Sequence, residues 1–303
     1  MKLLKTLVAV GALFGAVAHA QGIEFTVHAA PGGPSDTVTR IIAKSLDDKS
    51  IVVVNRPGAG GRIAMRQVMT GNSMVLATMS QIFVTNTMIA GEKLEYDPEK
   101  DLELIGLVAS MPNVLVCNRS KGINTVADLD KFSNLSFGFA GYGSSEHLAT
   151  EVLLRKVKTT HNPIPYSRGG SAAVQDMVGG NLDCMFANYP TVRGWTKDAN
   201  LTFIMSSHDL GSGIPTWRET YREDFPFQSY LGVVVAKQMP TATKQALVKN
   251  LNTIFKNPEF ATDLKNAGVF PTVGTDAKSI ERGLKNNRAL QDFITKNNIR
   301  LNQ

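Results

Sequence analysis

Two successive series of alternating strand and helix patterns run along this chain, and they constrain its fold more than any other feature. In each series, short apolar runs rich in β-branched residues alternate with amphipathic stretches, which is typical of strand-helix-strand units and a largely parallel sheet. The runs lie at 25–30, 51–55 and 74–79 in the first series, and at 112–118, 136–141, 164–170, 182–188 and 201–207 in the second. The pattern predicts an α/β protein with two lobes and a cleft between them.

The pattern changes after an apolar run at 230–236. Three segments with helical periodicity then close the chain, at 241–256, 258–267 and 276–297. Proline stands at or just before the start of the first two, where helices tolerate it. We expect these helices to pack back on the first lobe.

Two places where the chain passes between the series predict the boundaries of the lobes. Crossings near 111–117 and 230–235 are expected to form a two-stranded hinge. Lobe 1 is then expected to comprise residues 21–110 and 229–303, and lobe 2 the residues between these two parts, 111–228. A chain of 303 residues is long enough for two compact domains.

The first twenty residues are typical of an export signal. Lys2 and Lys5 precede an apolar run at 7–17, and residues 18–20 offer the small-x-small pattern that a signal peptidase needs. The run is too short to span a bilayer comfortably. We expect cleavage after Ala20 and a soluble mature protein in the periplasm.

Charge and cysteine content bound the function further. The formal net charge is +6 without a basic block, which argues against nucleic acid as a partner. The histidines are scattered without a second ligand at helical spacing, so neither a metal nor another cofactor is expected.

Cys117 and Cys184 lie in predicted buried strands, and the sequence leaves open whether they form a disulfide or stay as two thiols. A monomer is expected.

Four glycine-containing loops carry the candidate chemistry, because each follows a predicted strand and precedes a predicted helix. They lie at 31–36, 57–61, 141–145 and 168–171. In open α/β sheets this edge presents unpaired N–H groups and the partial positive charge of helix N-termini. A carboxylate suits such a group of amides, and glycine lets it come close. For any single loop, a tight turn explains the glycines equally well.

Two enzymatic interpretations are weaker. The segment at 58–64 superficially follows a dinucleotide-binding fingerprint, but Pro57 interrupts the turn and no suitable acid follows about twenty residues on. Ser144 and His147 could act as a nucleophile and its base, yet the GxSxG elbow is absent and a helix-capping serine is the preferred interpretation. We therefore predict that the chain is not an enzyme.

Two charged residues near these loops have alternative roles. Asp36 is expected either to stabilise the first turn of its helix or to contact a ligand. Arg168 is expected either to pair with an acid group or to remain an ordinary surface arginine.

Several segments resemble the tripartite tricarboxylate transporter receptors, also called Bug proteins. They are PGGPSD at 31–36, NRPGAGG at 55–61, YDPEKD at 96–101, GFAGYGSSEHLA at 138–149, PYSRGG at 165–170 and GGNLDCMF at 179–186. The resemblance covers nearly the whole mature chain. It implies a type II periplasmic binding protein, in which two α/β lobes joined by a two-stranded hinge enclose a ligand.

The resemblance also implies a function and a set of site residues. Such a receptor captures a small organic mono- or dicarboxylate and delivers it to the inner-membrane permease subunits of a tripartite transporter; the alternative is a periplasmic sensor that feeds a two-component kinase. Taken with the glycine loops, the expected ligand-binding residues are Pro31, Gly32, Gly33, Ser35, Asp36 and Ser80 in lobe 1, and Gly141, Gly143, Ser144, Ser145, His147, Arg168, Gly169, Gly170, Ser171, Ala172 and Asp183 in lobe 2.

Overall fold

The structure is a computed structural model that describes residues 24–48, 50–70, 73–78 and 96–300. Its strands are β1 (Glu24–Val27), β2 (Val52–Asn55), β3 (Ser73–Thr78), β4 (Leu102–Ser110), β5 (Asn113–Asn118), β6 (Ser136–Phe139), β7 (Asn162–Pro165), β8 (Cys184–Asn188), β9 (Leu201–Ser206), β10 (Tyr230–Ala236) and β11 (Phe270–Gly274). Its helices are α1 (Pro34–Leu46), α2 (Arg62–Val68), α3 (Pro98–Asp101), α4 (Ser145–Leu154), α5 (Gly170–Val178), α6 (Tyr189–Val192), α7 (Trp217–Tyr221), α8 (Thr241–Phe255), α9 (Pro258–Asn266) and α10 (Ala277–Lys296). Within these described residues, every helix is too short or too polar to cross a membrane.

Helix α1 begins where the local sequence favours a helix start. Pro34 takes the first helical position, where its missing N–H costs nothing, and Asp36 lies in the first turn near the positive end of the helix dipole. Val38 and Ile42 on the inner face are fully buried in the core of this lobe. The helix ends at Leu46, and its C-cap residue Asp47 has a left-handed φ of 49°.

The sheet of lobe 1 has six strands in the order β11-β4-β10-β3-β1-β2. Strand β1 runs parallel to both β2 and β3. Strand β10, which enters from the other lobe, runs antiparallel to both of its neighbours, β3 and β4. The prediction of a largely parallel sheet therefore needs correction, because the returning strand is inserted into the middle of the sheet.

Lobe 2 repeats this arrangement in a five-stranded sheet of order β7-β6-β8-β5-β9. Strand β6 runs parallel to β7 and β8. Strand β5 enters from lobe 1 and runs antiparallel to its neighbours, β8 and β9. Each lobe thus contains three adjacent parallel strands whose carboxyl ends share one edge of the sheet.

The two connections between the sheets run side by side. The backbone N–H of Met111 donates a hydrogen bond to the carbonyl of Ser229 at 2.8 Å, and Tyr230 pairs with Ser110. Sheet membership changes between Ser110 and Asn113 and again between Ser206 and Tyr230. The lobe boundaries after residues 110 and 228 stay a prediction.

Cys117 and Cys184 form a disulfide, which answers the question that the sequence left open. The two residues lie directly opposite each other on the antiparallel strands β5 and β8, and both are fully buried. The bridge therefore joins the strand that enters lobe 2 to the middle of its sheet.

The C-terminal region differs from the expectation in two ways. Strand β11 lies between α9 and α10, where only helices were predicted, and it forms the edge of the lobe 1 sheet by pairing with β4.

Helices α8 and α9 pack on lobe 1, but α10 and the residue after it also reach lobe 2. The Arg155 side chain of α4 donates to the Asn297 carbonyl at 3.4 Å, and its guanidinium lies 6.0 Å from the centre of the Phe293 ring. Helix α10 therefore bridges the two lobes.

Candidate functional site

The loop that leads from β1 into α1 is organised by the carboxylate of Asp36. This carboxylate accepts hydrogen bonds from the Gly32 backbone N–H at 2.9 Å, from Arg40 Nε at 3.1 Å and from Asn55 Nδ2 at 2.9 Å. Burial by itself would raise the pKa of Asp36, but the bonds from Arg40, Gly32 and Asn55 outweigh it and lower the pKa. Asp36 therefore binds its own loop, and a ligand contact by Asp36 stays a prediction.

The loop that leads from β6 into α4 is shaped by two glycines with positive φ. Gly141 has a φ of 94° and Gly143 a φ of 77°, which glycine adopts at little cost. Ser144 is the N-cap of α4, since its hydroxyl accepts from the backbone N–H of His147 at 3.1 Å. The Ser145 hydroxyl donates to Asn188 Oδ1 at 3.0 Å and so ties this loop to the end of β8.

The imidazole of His147 also stabilises this loop. Its Nδ1 accepts the backbone N–H of Gly143 at 3.3 Å, while the ring packs 4.7 Å from the centre of the Phe139 ring and 5.2 Å from that of Tyr142. Burial lowers the pKa of His147 to about 4, so the ring is neutral near pH 7. Because Gly143 occupies Nδ1 and the Ser144 hydroxyl caps the helix, these residues do not form the nucleophile–base pair of a hydrolase.

The third loop leads from β7 into α5 and contains residues 168–172. Gly169, with a φ of 90°, is the N-cap of α5, and Gly170 is its first helical residue. Arg168 and Ser171 are exposed, and Ala172 is half-buried. The N-terminal backbone amides of α5 are therefore presented at the same edge of the sheet as those of α4.

A buried carboxylate that the sequence analysis did not select lies beneath these lobe 2 loops. Glu146 is 1% exposed, and its carboxylate accepts the backbone N–H of Ala140 at 2.8 Å and that of Asn188 at 3.2 Å. A Cβ added to Gly170 would lie only 2.8 Å from Oε1, so the start of α5 rests against the same group. Burial raises the pKa of Glu146 to about 7, against the opposing effect of the hydrogen bonds.

Loops of both lobes meet around a small cavity of about 50 Å³. Lobe 1 contributes Gly32, Pro34, Thr37, Ala267 and Val269, and lobe 2 contributes Ser171, Pro190 and Thr191. The N-termini of α1 and α5 thus lie at one cavity from opposite sides. Because the dipoles of both helices present their positive ends there, the position favours a negative charge.

The lobes also touch each other directly beside this cavity. Arg193 Nη1 donates to the Lys265 carbonyl at 3.1 Å. Gly268, with a φ of 80°, faces the same arginine so closely that an added Cβ would lie 2.4 Å from Arg193 Cδ. The lobes are therefore closed on one another at this side of the cleft.

The predicted site residue Asp183 lies away from this arrangement. Asp183 precedes β8 and pairs with Lys121 at 2.7 Å and with the Ser136 backbone N–H at 2.8 Å. Because β6 and β8 are parallel, Asp183 and Ser136 both lie at the amino ends of their strands, across the sheet from the glycine loops. A ligand contact by Asp183 is inconsistent with this placement. Ser80 lies outside the described residues.

Comparison with known proteins places this geometry in a family. Residues 37–298 match the family model described as the tripartite tricarboxylate transporter family receptor. Protein BugT of Bordetella pertussis is 25% identical over 272 residues, which are 84% of this chain and 83% of BugT.

Solved structures share the fold. The structure of the periplasmic binding protein BugD superposes with a TM-score of 0.80 at 23% identity, over 92% of this chain and 98% of BugD. The structure of Rpa4515 of R. palustris with adipate also gives a TM-score of 0.80 at 23% identity, over 92% of this chain and 96% of that one. The predicted two-lobed α/β fold and the predicted resemblance are both confirmed.

Proposed function

Because the chain belongs to the tripartite tricarboxylate transporter family of receptors, we propose that it captures a small organic carboxylate between its two lobes and delivers it to a tripartite permease. The family is one of receptors, which confirms that the chain is a solute-binding protein and not an enzyme. The observation that carries the proposal is the convergence of the α1 and α5 N-termini on one cavity between the lobes.

A carboxylate of the ligand is proposed to bind the free amides at the start of α1, and the free amides at the start of α5 are proposed to bind the ligand's other end. Helices α1 and α5 have 13 and 9 residues and no side-chain N-cap hydrogen bond, so their first N–H groups stay available. The loops at 141–145 and 168–172 are proposed to contact the ligand from lobe 2, and Ser171 lies at the cavity as a hydroxyl donor. Adipate in the structure of Rpa4515 supports a carboxylate as the ligand class.

The size of the cavity implies that binding is coupled to lobe movement. A volume of about 50 Å³ compares with the roughly 10–15 Å³ that a cavity needs to hold one water. A dicarboxylate or similar acid needs more room, so the lobes have to part for it to enter. Contacts to both lobes are then complete only after closure, which links occupancy to shape.

The proposed place of work is the periplasm. The export pattern of residues 1–20, with cleavage after Ala20, and the likeness to the periplasmic protein BugD support it. Mass spectrometry of the mature protein from a periplasmic extract tests it, since a first residue other than Gln21 contradicts the cleavage site. Pull-down from membranes then distinguishes delivery to permease subunits from contact with a sensor kinase.

Thermal unfolding in the presence of small acids tests the binding function. A ligand at one hundred times its Kd stabilises the folded state by about 2.7 kcal/mol. We expect this increase with at least one small carboxylate and none with the corresponding amide or alcohol. The protein is first refolded from denaturant to remove carried-over ligand. No stabilisation by any member of a broad panel of acids contradicts the proposal.

A pair of variants locates the binding site. Ser171→Asp places a negative charge at the cavity wall, in the first turn of α5 where an acid is tolerated. We expect it to abolish the carboxylate-induced stabilisation. Ser167→Asp, on the same exposed loop but outside the cavity lining, is the matched control and is expected to retain it. Equal behaviour of the two variants contradicts the proposed location.

A further inference from the structure

The two halves of the cleft each contain an acid in the first turn of a helix behind a glycine loop. Asp36 of α1 accepts the backbone N–H of Gly32, and Glu146 of α4 accepts that of Ala140. Both carboxylates therefore fasten a loop that the proposed ligand would touch. Their electrostatic surroundings are different, and this difference bears on the ligand.

The charge of Asp36 is compensated by a cation on its own helix. Arg40 Nη2 lies 3.0 Å from Asp36 Oδ1, and Asn55 donates a further bond. The α1 end of the cavity therefore keeps the positive potential of its free amides for an incoming anion.

The charge of Glu146 has no such compensation. None of the ion pairs within the described residues includes it, and its hydrogen-bond donors are uncharged: the backbone N–H groups of Ala140 and Asn188 and the side-chain amide of Asn188. Its Oε1 touches the start of α5 at Gly170, the neighbour of cavity-lining Ser171. The Glu146 carboxylate thus lies between the N-termini of α4 and α5. Its negative charge reduces the positive potential that these N-termini present to a ligand.

We propose that Glu146 makes the lobe 2 half of the cleft select against a second carboxylate, so that this chain takes monocarboxylates whose far end is uncharged. The inference rests on the proposed function and narrows its ligand class. The ligand's single carboxylate binds at the α1 end, and a polar uncharged group faces lobe 2. This chain then differs in preference from Rpa4515, whose structure contains a dicarboxylate.

The size of the expected effect follows from Coulomb's law. At an effective dielectric constant of about 20, two like charges as far as about 12 Å apart weaken binding by roughly tenfold. The nearby titratable groups do not reverse this at pH 8. His147 is neutral there because its pKa is about 4, and Arg168 is exposed to solvent, where water screens its charge.

Matched pairs of acids test the inference by calorimetry at pH 8. Each pair is a dicarboxylate and its monoamide: succinate with succinamate, glutarate with glutaramate, and adipate with adipamate. For the pair whose length fits, we expect the wild type to bind the monoamide at least about tenfold more tightly. This comparison needs no variant and therefore does not depend on how a substitution folds.

A charge-removing variant assigns the preference to Glu146. Glu146→Gln keeps the shape and is expected to bring the two affinities of a pair within about threefold of each other. Glu151→Gln removes the same charge one turn further along α4, where the carboxylate pairs with Arg155, and is expected to keep the wild-type preference. Far-UV circular dichroism confirms that each variant is folded.

The outcomes separate the inference from the proposed function. Binding of both members of a pair with equal affinity, or a preference for the dicarboxylate, overturns the inference and leaves the proposed function intact. A monoamide preference that persists in folded Glu146→Gln overturns the role of Glu146. Absence of binding for every acid, in the wild type and the variants alike, overturns the proposed function and the inference with it.

Discussion

Each lobe fastens a glycine-containing loop with a carboxylate from the first turn of the following helix, but the pKa values of the two carboxylates are shifted in opposite directions. In α1 and in α4, a first-turn carboxylate accepts an N–H from the preceding loop. Four residues later α1 has Arg40, which pairs with Asp36, whereas α4 has Thr150, whose hydroxyl donates to the Glu146 carbonyl instead. Despite the burial of Asp36, the bonds from Arg40, Gly32 and Asn55 lower its pKa, whereas burial raises the pKa of Glu146 to about 7. The loops before α1 and α4 are therefore similar in geometry but present different electrostatic potentials to a ligand.

The largest expected difference between the lobes concerns the disulfide, which only lobe 2 contains, since the chain has two cysteines. Its sequence separation of 67 residues closes a long loop. Replacing both cysteines by alanine is expected to lower the free energy of unfolding by about 4 kcal/mol, as measured by urea denaturation. A loss below about 1 kcal/mol in the double variant contradicts this expectation.

The next effect is a pH dependence that two neighbouring residues of lobe 2 produce with opposite signs. The raised pKa of Glu146, about 7 instead of 4.5, gives stability that is present below pH 4.5 and lost as the pH rises through 7. The lowered pKa of His147, about 4 instead of 6.5, gives stability that is present above pH 6.5 and lost as the pH falls through 4. Each contribution amounts to about 3 kcal/mol. Between pH 4.5 and 6.5 one contribution falls with pH about as fast as the other rises, so the stability of the wild type changes little there.

Single variants remove this cancellation. Relative to the wild type, Glu146→Gln is expected to lose stability more steeply from pH 7 to pH 4, because the His147 effect then acts alone. His147→Gln is expected to gain stability over the same range. Urea denaturation at four pH values measures both slopes. Parallel profiles for all three proteins contradict the assigned pKa values.

A smaller effect is expected where glycine contacts the buried acid. Gly170→Ala brings a Cβ to 2.8 Å from Glu146 Oε1 and is expected to cost about 2 kcal/mol. Gly33→Ala is the lobe 1 control, because its Cβ would lie 3.4 Å from the Ala30 carbonyl and its φ of −74° suits alanine. Combining Gly170→Ala with Glu146→Ala should recover most of the loss in a double-mutant cycle. Simple additivity would show that the contact is not the cause.

The smallest expected effect comes from making lobe 1 resemble lobe 2. Arg40→Met removes the cation beside Asp36 and is expected to raise the pKa of that carboxyl and to cost about 1 kcal/mol at pH 7. The loss should vanish once acid protonates Asp36, because the stability from a lowered pKa is lost as the pH falls. Lys44→Met, in the last turn of α1, is the control and should leave the pKa of Asp36 unchanged in an NMR titration.

The sequence predicted the elements whose patterns are local. The loop at 31–36 was predicted to precede a helix, and α1 begins within it at Pro34. Strand β11 was missed because Pro271 and Gly274 argue against a strand, although an edge strand tolerates both. Strand β7 begins two residues before the predicted run at 164–170, and as an edge strand it tolerates Pro163 and Pro165.

The candidate site was predicted less completely, because its contacts join distant segments. The glycine loops were placed at the correct sheet edge by the strand–helix order alone. Glu146 was missed because its contact with Gly170 depends on the pairing of β6, β7 and β8, which one sequence does not reveal. A first-turn acid that directly follows the glycine- and serine-rich loop at 141–145 is the signal that could have identified it. Asp183 was carried over from the family resemblance, and its pairing with Lys121 lies at the opposite edge.

The direct bond between Arg193 and the Lys265 carbonyl has a consequence for transport energetics. Part of the free energy of closing comes from the protein itself, so a fraction of unloaded receptor shares the shape of the loaded form. A permease that recognised only the closed shape would then also bind empty receptors. These would compete with loaded receptors and slow transport. If the chain delivers its ligand to a permease as proposed, productive docking requires the membrane partner to detect the bound ligand or to release empty receptors quickly.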